Sequence, residues 1–216
     1  MSIPEDSTIR EDTGRRHAGK YSNPNPIQRL VLDRFFHVVA EEVRAIAPRR
    51  TLDFGTGEGF LLERLERLGV RFPSLLGVDL RDDALAEARR RCPGYDFRHQ
   101  DLLAWEPAPE PFDLTIASEV LEHLPQPERF LECLAGMTCG HLLLTVPWEP
   151  WFSLMNLLRG RDLMRLGNHP EHVNQWTGRS FRRLVEPYVE IERFRTVFPF
   201  LIVVARPRAA RRNGQP

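Results

Sequence analysis

Apolar runs of strand length alternate with amphipathic helical patterns along most of this chain. The apolar runs cover residues 51–54, 74–80, 112–118 and 141–147, and a further strand is predicted over residues 96–100, where Phe97 is the apolar residue. Between them, apolar residues recur at helical spacing over about 60–68, 82–91 and 127–137. Regular alternation of strands and helices is typical of a parallel sheet with right-handed crossovers. The pattern therefore predicts an α/β fold with a doubly wound, mostly parallel sheet and helices on both faces.

Further elements are predicted before and after this alternating region. A helical pattern begins at Ile27 and continues up to Pro48, ahead of the first strand. Near the end, Thr177 can cap a helix over 178–186, and residues 189–195 and 200–205 have the composition of a strand pair. Residues 148–176 break the alternation, carry three of the four tryptophans and follow the carboxyl end of a strand. Enzymes of this architecture build substrate lids there, so we expect a lid at about 148–176.

The two ends of the chain differ in composition from its middle. Residues 1–19 mix charged and small residues without any period, which predicts a flexible leader. Residues 207–216 form a basic tail that contains proline, and we expect it to be flexible as well. We therefore predict a single domain over residues 20–206.

Overall charge and cysteine content narrow the choice of partners. Lysine plus arginine and aspartate plus glutamate both number 30, so no net field favours nucleic acid or a membrane surface. The three cysteines are far apart in sequence and predict neither a disulfide framework nor a thiolate zinc site. The first residues are polar and no apolar run is long enough to span a bilayer. We expect a cytoplasmic protein with a small-molecule partner; nucleic acid remains a less favoured alternative, and the oligomeric state is open.

The first strand runs into a glycine-rich turn, Asp53-Phe54-Gly55-Thr56-Gly57-Glu58-Gly59, followed by a helical pattern. Glycines at alternate positions let the backbone turn sharply and approach a ligand closely. The dinucleotide fingerprint is Gly-x-Gly-x-x-Gly, whereas here the spacing is Gly-x-Gly-x-Gly with an acid two residues before the first glycine. A carboxylate at that position suits a cationic ligand better than a pyrophosphate. The turn therefore predicts a site for a nucleotide-like cofactor that carries positive charge.

Acidic residues end the next two strands. Asp79 lies about twenty residues beyond the glycines, an interval at which a strand-end carboxylate accepts hydrogen bonds from ribose hydroxyls. Asp101 follows the third strand. Because the carboxyl ends of parallel strands meet at one edge of the sheet, we expect both acids beside the glycine turn.

Together these residues resemble the class I S-adenosylmethionine (SAM) dependent methyltransferases. The resemblance implies a seven-stranded Rossmann-like sheet with an antiparallel edge strand, and SAM as cofactor. In that family the turn holds the methionine part of SAM, an acid at the position of Asp79 binds the ribose, and an acid at the position of Asp101 meets the adenine amino group. A tyrosine like Tyr21 covers the cofactor in many members, with simple packing as the alternative here. The implied cofactor-binding residues are Tyr21, Asp53, Gly55, Thr56, Gly57, Gly59, Asp79, Leu80, Asp101, Leu102, Ser118 and Glu119.

Three residues after the fourth strand are candidates for the chemistry. On a helix, Glu119, Glu122 and His123 fall at i, i+3 and i+4 and share a face. Two carboxylates and an imidazole can ligate a divalent metal such as Mg²⁺ or Mn²⁺, with His172 or His169 as a fourth ligand. Without a metal, His123 can take a proton from the acceptor or orient the loop. The sequence leaves both possibilities open.

The Glu-x-x-Glu-His group resembles a motif of two branches of the family, the ubiquinone-pathway O-methyltransferases and the small-RNA 2′-O-methyltransferases. The RNA branch also has a proline and an acid after the fifth strand, like Pro147-Trp148-Glu149, and a ligand histidine four residues before Trp-Thr, like His172 before Trp176-Thr177. That spacing favours His172 over His169. The lid otherwise differs from this branch, and we expect no appended RNA-binding domain.

A third resemblance extends over the whole length. Tyr21, residues 167–170 and Asn174-Gln175-Trp176 are similar to a group of bacterial methyltransferases whose acceptors are unassigned. We therefore predict a methyltransferase that acts on a hydroxyl or nitrogen of a small molecule. Metal-assisted 2′-O-methylation of RNA is the alternative within enzymes, and a catalytically silent SAM-binding scaffold is the alternative of another class.

Overall fold

A seven-stranded sheet forms the centre of the protein, in the order β3-β2-β1-β4-β5-β7-β6. The structure, a computed structural model, describes residues 26–101, 110–149, 151 and 173–208. Strands β1 to β5 are parallel, and β7 is antiparallel to both β5 and β6. The strands are β1 (Arg50–Phe54), β2 (Ser74–Asp79), β3 (Asp96–His99), β4 (Phe112–Ser118), β5 (Thr138–Pro147), β6 (Val189–Val197) and β7 (Phe200–Pro207). The prediction of a doubly wound, mostly parallel sheet with an antiparallel edge is confirmed.

Helices cover both faces of this sheet. They are α1 (Pro26–Ile46), α2 (Phe60–Arg67), α3 (Asp82–Arg91), α4 (Pro127–Met137) and α5 (Gly178–Val185), with a short 3-10 turn at Leu121–His123. The predicted cap of α5 is confirmed: the Thr177 hydroxyl accepts from the Ser180 backbone N–H, and the Ser180 hydroxyl accepts from the Thr177 N–H. No helix among the described residues is long and apolar enough to cross a bilayer.

Strand β5 begins three residues earlier than its apolar run suggested, at Thr138 rather than at residue 141. The reason is a close approach of two backbones, because a Cβ at Gly140 would lie 2.1 Å from the carbonyl oxygen of Asp113. Glycine lets β5 pair with β4 along a stretch that has no apolar pattern of its own. A similar small extension occurs at the chain's end, where β7 includes Pro207 and the Arg208 N–H donates to the carbonyl of Tyr188 at 2.8 Å. Both residues therefore belong to the domain rather than to the predicted tail.

Two apolar cores fill the space between the sheet and the helices. One lies against α1, α2 and α3 and includes Phe36, Leu62 and Leu85. The other lies against α4 and α5 and includes Phe130 and Phe181. Burial on both faces explains why the central strands are mostly apolar. The predicted leader and most of the predicted lid and tail lie outside the described residues.

The register of the strands brings the predicted site residues to one edge. Phe54 pairs with Val78 on one side and with Ala117 on the other, and Ser118 pairs with Thr145. The carboxyl ends of β1, β2, β4 and β5 therefore lie side by side. The strand order changes direction between β1 and β4, and α/β proteins bind ligands at such a switch point.

Candidate cofactor and catalytic site

The glycine-rich turn between β1 and α2 has the backbone that its sequence predicts. Gly55, Gly57 and Gly59 have φ angles of 72°, 54° and 76°, a region that other residues rarely adopt. The N–H groups of Gly55 and Thr56 both donate to the carbonyl of Val78, at 2.9 and 3.0 Å. The turn is thereby fixed to the end of β2 as well as to β1.

The three glycines differ in what surrounds them. A Cβ on Gly55 would lie 2.5 Å from Cγ2 of Val120, in the loop after β4, and one on Gly59 would lie 3.1 Å from Cα of Ala88 in α3. At Gly57 a Cβ would meet nothing within 4 Å. The turn is therefore packed on two sides and open at its middle glycine, where a ligand can approach the backbone.

Asp53 lies beneath this turn, almost fully buried with 2% of its surface exposed. The hydroxyl of Thr56 donates to its Oδ2 at 2.7 Å. Burial raises the pKa of the Asp53 carboxyl to about 7; the Thr56 hydrogen bond opposes the shift and the nearby Asp79 carboxylate adds to it. A cation next to Asp53 would favour the ionised form of its carboxyl, so a positively charged ligand is favoured at this position.

Asp79 closes the turn from the end of β2. Its Oδ2 accepts from the Gly57 N–H at 2.9 Å and its Oδ1 accepts from the Arg81 N–H at 3.0 Å. A carboxylate oxygen can accept further hydrogen bonds, so both oxygens can still receive ligand hydroxyls. The next residue, Leu80, is 58% exposed and lies at the same edge. Asp79 and Leu80 together offer a polar and an apolar contact to a nucleoside.

The remaining predicted cofactor contacts lie partly outside the described residues. Asp101 is exposed just beyond β3, and the Gln100 N–H before it donates to the carbonyl of Asp79 at 3.1 Å. This bond places the end of β3 beside the acid of β2. Tyr21 and Leu102 lie outside the residues that the structure describes.

The loop after β4 departs from the helical arrangement expected for Glu119, Glu122 and His123. Glu119 has a φ of 58°, in the left-handed region, and the helical turn covers residues 121–123 alone. The physical reason is that the β4–β5 ladder continues through Glu119, whose N–H donates to the carbonyl of Thr145 at 3.1 Å, before the chain reverses. The shared helix face predicted for the three residues is therefore wrong.

Thr145 of β5 connects two of the predicted site residues. Its hydroxyl lies 2.9 Å from that of Ser118 and donates to Oε1 of Glu119 at 3.4 Å. Thr145 is fully buried. A threonine within an apolar strand carries no sequence signal of this role, so Thr145 is not among the predicted site residues.

Glu122 and His123 lie next to each other on the 3-10 turn but differ in burial. The Glu122 side chain is 1% exposed, the His123 side chain is 32% exposed, and Oε1 of Glu122 lies 3.9 Å from Nε2 of His123. A partly exposed imidazole can take up a proton, and a buried carboxylate beside it can stabilise the resulting imidazolium through its negative charge. This pair can therefore act in proton transfer.

The described residues do not assemble into the predicted metal site. Within them, no three His, Cys, Asp or Glu side chains come together as metal ligands. His172 and His169 lie outside the described part of the chain. The complete set of Glu119, Glu122, His123 and His172 as metal ligands therefore stays a prediction.

Aromatic side chains lie at the same edge, beyond β5. The ring centroids of Trp148, Trp151 and Phe198 are 6.2 to 6.5 Å apart in edge-to-face contact. Trp151 and Phe198 are each 42% exposed. Trp176 instead packs toward the core, with its ring 6.2 Å from that of Phe181. The three described tryptophans thus divide into an exposed aromatic surface, with Trp148 and Trp151, and an internal anchor, Trp176.

Comparison with protein families gives a match over most of the chain. A family model described as a methyltransferase domain matches residues 27–188. Trans-aconitate 2-methyltransferase of Methylobacterium nodulans is 42% identical over 121 residues, which are 53% of this chain and 45% of that protein. Ubiquinone biosynthesis O-methyltransferase of Aeromonas salmonicida is 29% identical over 126 residues, 55% of this chain and 52% of that protein. The chain spans about half the length of the curated relatives it matches.

Solved structures with the same fold are more distant in sequence. Magnesium protoporphyrin IX methyltransferase from Synechocystis PCC 6803, with bound S-adenosylhomocysteine (SAH), has a TM-score of 0.67 at 20% identity, over 94% of this chain and 96% of that one. The methyltransferase domain of bacterial CtHen1 has a TM-score of 0.65 at 19% identity, over 82% and 99%. At such identities the likeness shows the fold.

Proposed function

We propose that this chain, which belongs to the methyltransferase-domain family, transfers a methyl group from SAM to a hydroxyl or nitrogen of a small-molecule acceptor. The observation that carries the proposal is the turn of three left-handed glycines between the buried Asp53 and the strand-end Asp79. A nearly buried carboxyl whose pKa is about 7 in the free protein gains from a cationic ligand. SAM is such a ligand, and it supplies an activated methyl group on a sulfonium.

The cofactor contacts are assigned by position and chemistry. Asp53 faces the positively charged methionine part, with Thr56 orienting its carboxyl. Asp79 receives the ribose hydroxyls, and Leu80 and Asp101 lie where the base would be. The family match and the SAH-bound structure of the same fold described above support this assignment.

Catalysis then rests on placement and on the fate of one proton. Holding the acceptor in line with the methyl group and excluding water can supply a large part of the acceleration. An acceptor hydroxyl or protonated nitrogen must also lose its proton, and His123 is the group we assign to accept it. Glu122, buried 3.9 Å away, would stabilise the resulting imidazolium. Glu119, held by Thr145, would border the reacting atoms.

A small molecule is the favoured acceptor. The names of the two curated relatives described above specify a small acid and a step of ubiquinone biosynthesis. A likeness to the CtHen1 methyltransferase domain keeps RNA 2′-O-methylation as the alternative. A catalytically silent SAM-binding scaffold is the alternative of another class.

Two measurements, made one after the other, test the proposal. Calorimetry should show SAH binding by the wild type, and Asp79→Ala should weaken it at least tenfold. The control Asp96→Ala changes an exposed acid at the opposite edge and should leave the affinity unchanged. Failure of the wild type to bind SAH or SAM would refute the proposed cofactor.

Incubation with methyl-labelled SAM and a bacterial extract should then label the small-molecule fraction, with a mass gain of one methylene in at least one compound. Label in RNA alone would favour the RNA alternative. Binding of SAH with no label in either fraction would favour the scaffold.

A further inference from the structure

We propose that Asn174 is a positioning residue of the active site, which holds the turn that carries Glu122 and His123. This inference rests on the proposed function, since it concerns the residues assigned there to proton transfer. The Asn174 amide nitrogen donates to the carbonyl of Leu124 at 2.6 Å and to that of Leu121 at 3.3 Å. One side chain thus contacts the backbone at both ends of the turn, about fifty residues away in sequence.

The backbone of the same segment completes this contact. The N–H groups of Val173 and Asn174 both donate to the carbonyl of Glu122, at 2.9 and 3.0 Å. Carbonyls at the end of a helix lack partners within it, and a single 3-10 turn is almost entirely ends. Residues 173 and 174 therefore supply donors to the carbonyls of Leu121, Glu122 and Leu124, and the Leu121 carbonyl also accepts from the Leu124 N–H within the turn.

The segment that makes these bonds is itself fixed to the sheet. Trp176 forms a parallel bridge with Trp148, and the Glu149 N–H donates to the Trp176 carbonyl at 2.9 Å. The Trp176 ring packs on Phe181 of the core. Asn174 therefore reaches the turn from a segment that is hydrogen-bonded to the end of β5 and packed on the core, as a positioning residue requires.

Among the described residues, two backbone hydrogen bonds lie within the turn itself. These bonds are His123 N–H to Val120 at 3.0 Å and Leu124 N–H to Leu121 at 3.3 Å. Glu119, just before them, has a left-handed backbone, which such a loop keeps only when its surroundings hold it. Loss of the Asn174 amide would leave two carbonyls without their side-chain donor and allow the His123 ring to shift. A misplacement of about 1 Å at a reacting group can cost on the order of a hundredfold in rate.

The test compares Asn174→Ala with Gln175→Ala, which removes the exposed amide of the next residue in the same segment. With tritiated SAM and the small-molecule fraction of a bacterial extract, Asn174→Ala should lower the saturated transfer rate about tenfold to a hundredfold. The concentration of SAM at half-maximal rate and the SAH affinity should stay within about twofold of the wild type, because residues 53–59 and 79 are untouched. Gln175→Ala should behave as the wild type.

A double-mutant cycle with His123→Ala separates positioning from a general loss of stability. If Asn174 acts through His123, the double variant should be hardly slower than His123→Ala alone. The proposal would be overturned if the rate losses of Asn174→Ala and His123→Ala multiplied in the double variant. It would also be overturned if Asn174→Ala, well below its own melting temperature, transferred methyl groups as fast as the wild type.

An arm that needs no turnover uses hydrogen exchange of the SAH-bound protein. Amides of peptides covering 119–124 should exchange at least about tenfold faster in Asn174→Ala, while peptides covering 53–59 stay unchanged. Equal exchange in the 119–124 peptides would also refute the role of Asn174. Failure of the wild type to bind SAH would instead refute the proposed function, so the two failures are distinguishable.

Discussion

The buried Asp53 predicts that cofactor binding depends on pH near neutrality. In the free protein its pKa is raised to about 7, so about half of the molecules carry a neutral carboxyl at pH 7. A positively charged cofactor favours the ionised form, and binding must therefore release a proton from the neutral fraction. Affinity for SAM or SAH should rise with pH across this range.

The magnitude follows from the population of ionised Asp53. If the cofactor binds the ionised form alone, the Kd is multiplied by one plus the ratio of neutral to ionised carboxyl. That factor is about 11 at pH 6 and about 1.1 at pH 8, for a pKa of about 7. We expect the affinity to increase about tenfold between these pH values, or about 1.4 kcal/mol. At pH 7 about half a proton should leave per cofactor bound.

The stability of the free protein should change with pH in the opposite sense. The folded pKa of Asp53 lies above its ordinary value of 3.8, so the folded state binds more protons than the unfolded state between about pH 4 and 7. Stability from this group therefore falls as the pH rises through that window. The full pKa shift of Asp53 corresponds to at most about 4 kcal/mol in the free energy of unfolding. Asp53→Asn should consequently raise the melting temperature of the free protein at pH 8.

Calorimetric titration of SAH at pH 6, 7 and 8, each in two buffers of different ionisation enthalpy, measures both affinity and proton release. Asp53→Asn is the control, because it cannot titrate there and its affinity should vary less with pH than that of the wild type. A wild-type Kd that stays within twofold from pH 6 to pH 8, with no proton released at pH 7, would show that Asp53 does not respond to the cofactor's charge.

Three further predictions follow from other contacts. Gly55→Ala places a Cβ 2.5 Å from Cγ2 of Val120, so we expect SAH to bind at least tenfold more weakly in calorimetry. Adding Val120→Ala should restore part of the affinity. Equal affinity of Gly55→Ala and the wild type would contradict this prediction. The carboxylate oxygens of Glu42, a residue that is 2% exposed, lie 2.6 Å from the Nε atoms of Arg193 and Arg195. Glu42→Gln should therefore lower the free energy of unfolding in urea by about 1–3 kcal/mol. The control Glu41→Gln, at an exposed position, should leave it unchanged. A chelator should leave methyl transfer unchanged; loss of transfer that Mn²⁺ restores would instead support the four predicted metal ligands.

The parts of the fold that depend on local signals were predictable. The alternating apolar runs gave the strands and their order of appearance, because buried parallel strands are apolar on both faces. The turn after β1 was recognisable because Gly55, Gly57 and Gly59 occupy left-handed conformations that glycine adopts readily and other residues only rarely. Thr177 was predictable as a cap because its preference for that position is local.

The geometry after β4 was not predictable from the same signals. Glu119, Glu122 and His123 have helical spacing. Strand pairing with β5 nevertheless continues through Glu119, and the backbone of Glu119 itself is left-handed, so the chain turns there. Spacing carries no information about that pairing. The contact between Asn174 and the turn and the raised pKa of Asp53 likewise depend on segments far apart in sequence.

The two halves of the site come from different parts of the chain, and this affects what a relative's acceptor implies. The assigned cofactor residues with a described position lie mainly on β1, β2 and the segments that follow them, and they meet the loop after β4 where Gly55 packs on Val120. The turn that we assign to proton transfer and the exposed aromatic surface are positioned instead by residues of β4, β5, the 173–176 segment and the β6–β7 hairpin. Substitutions in the second group can change the acceptor while the first keeps the cofactor. Identity to a relative over about half of each chain therefore supports shared methyl-transfer chemistry more strongly than a shared acceptor.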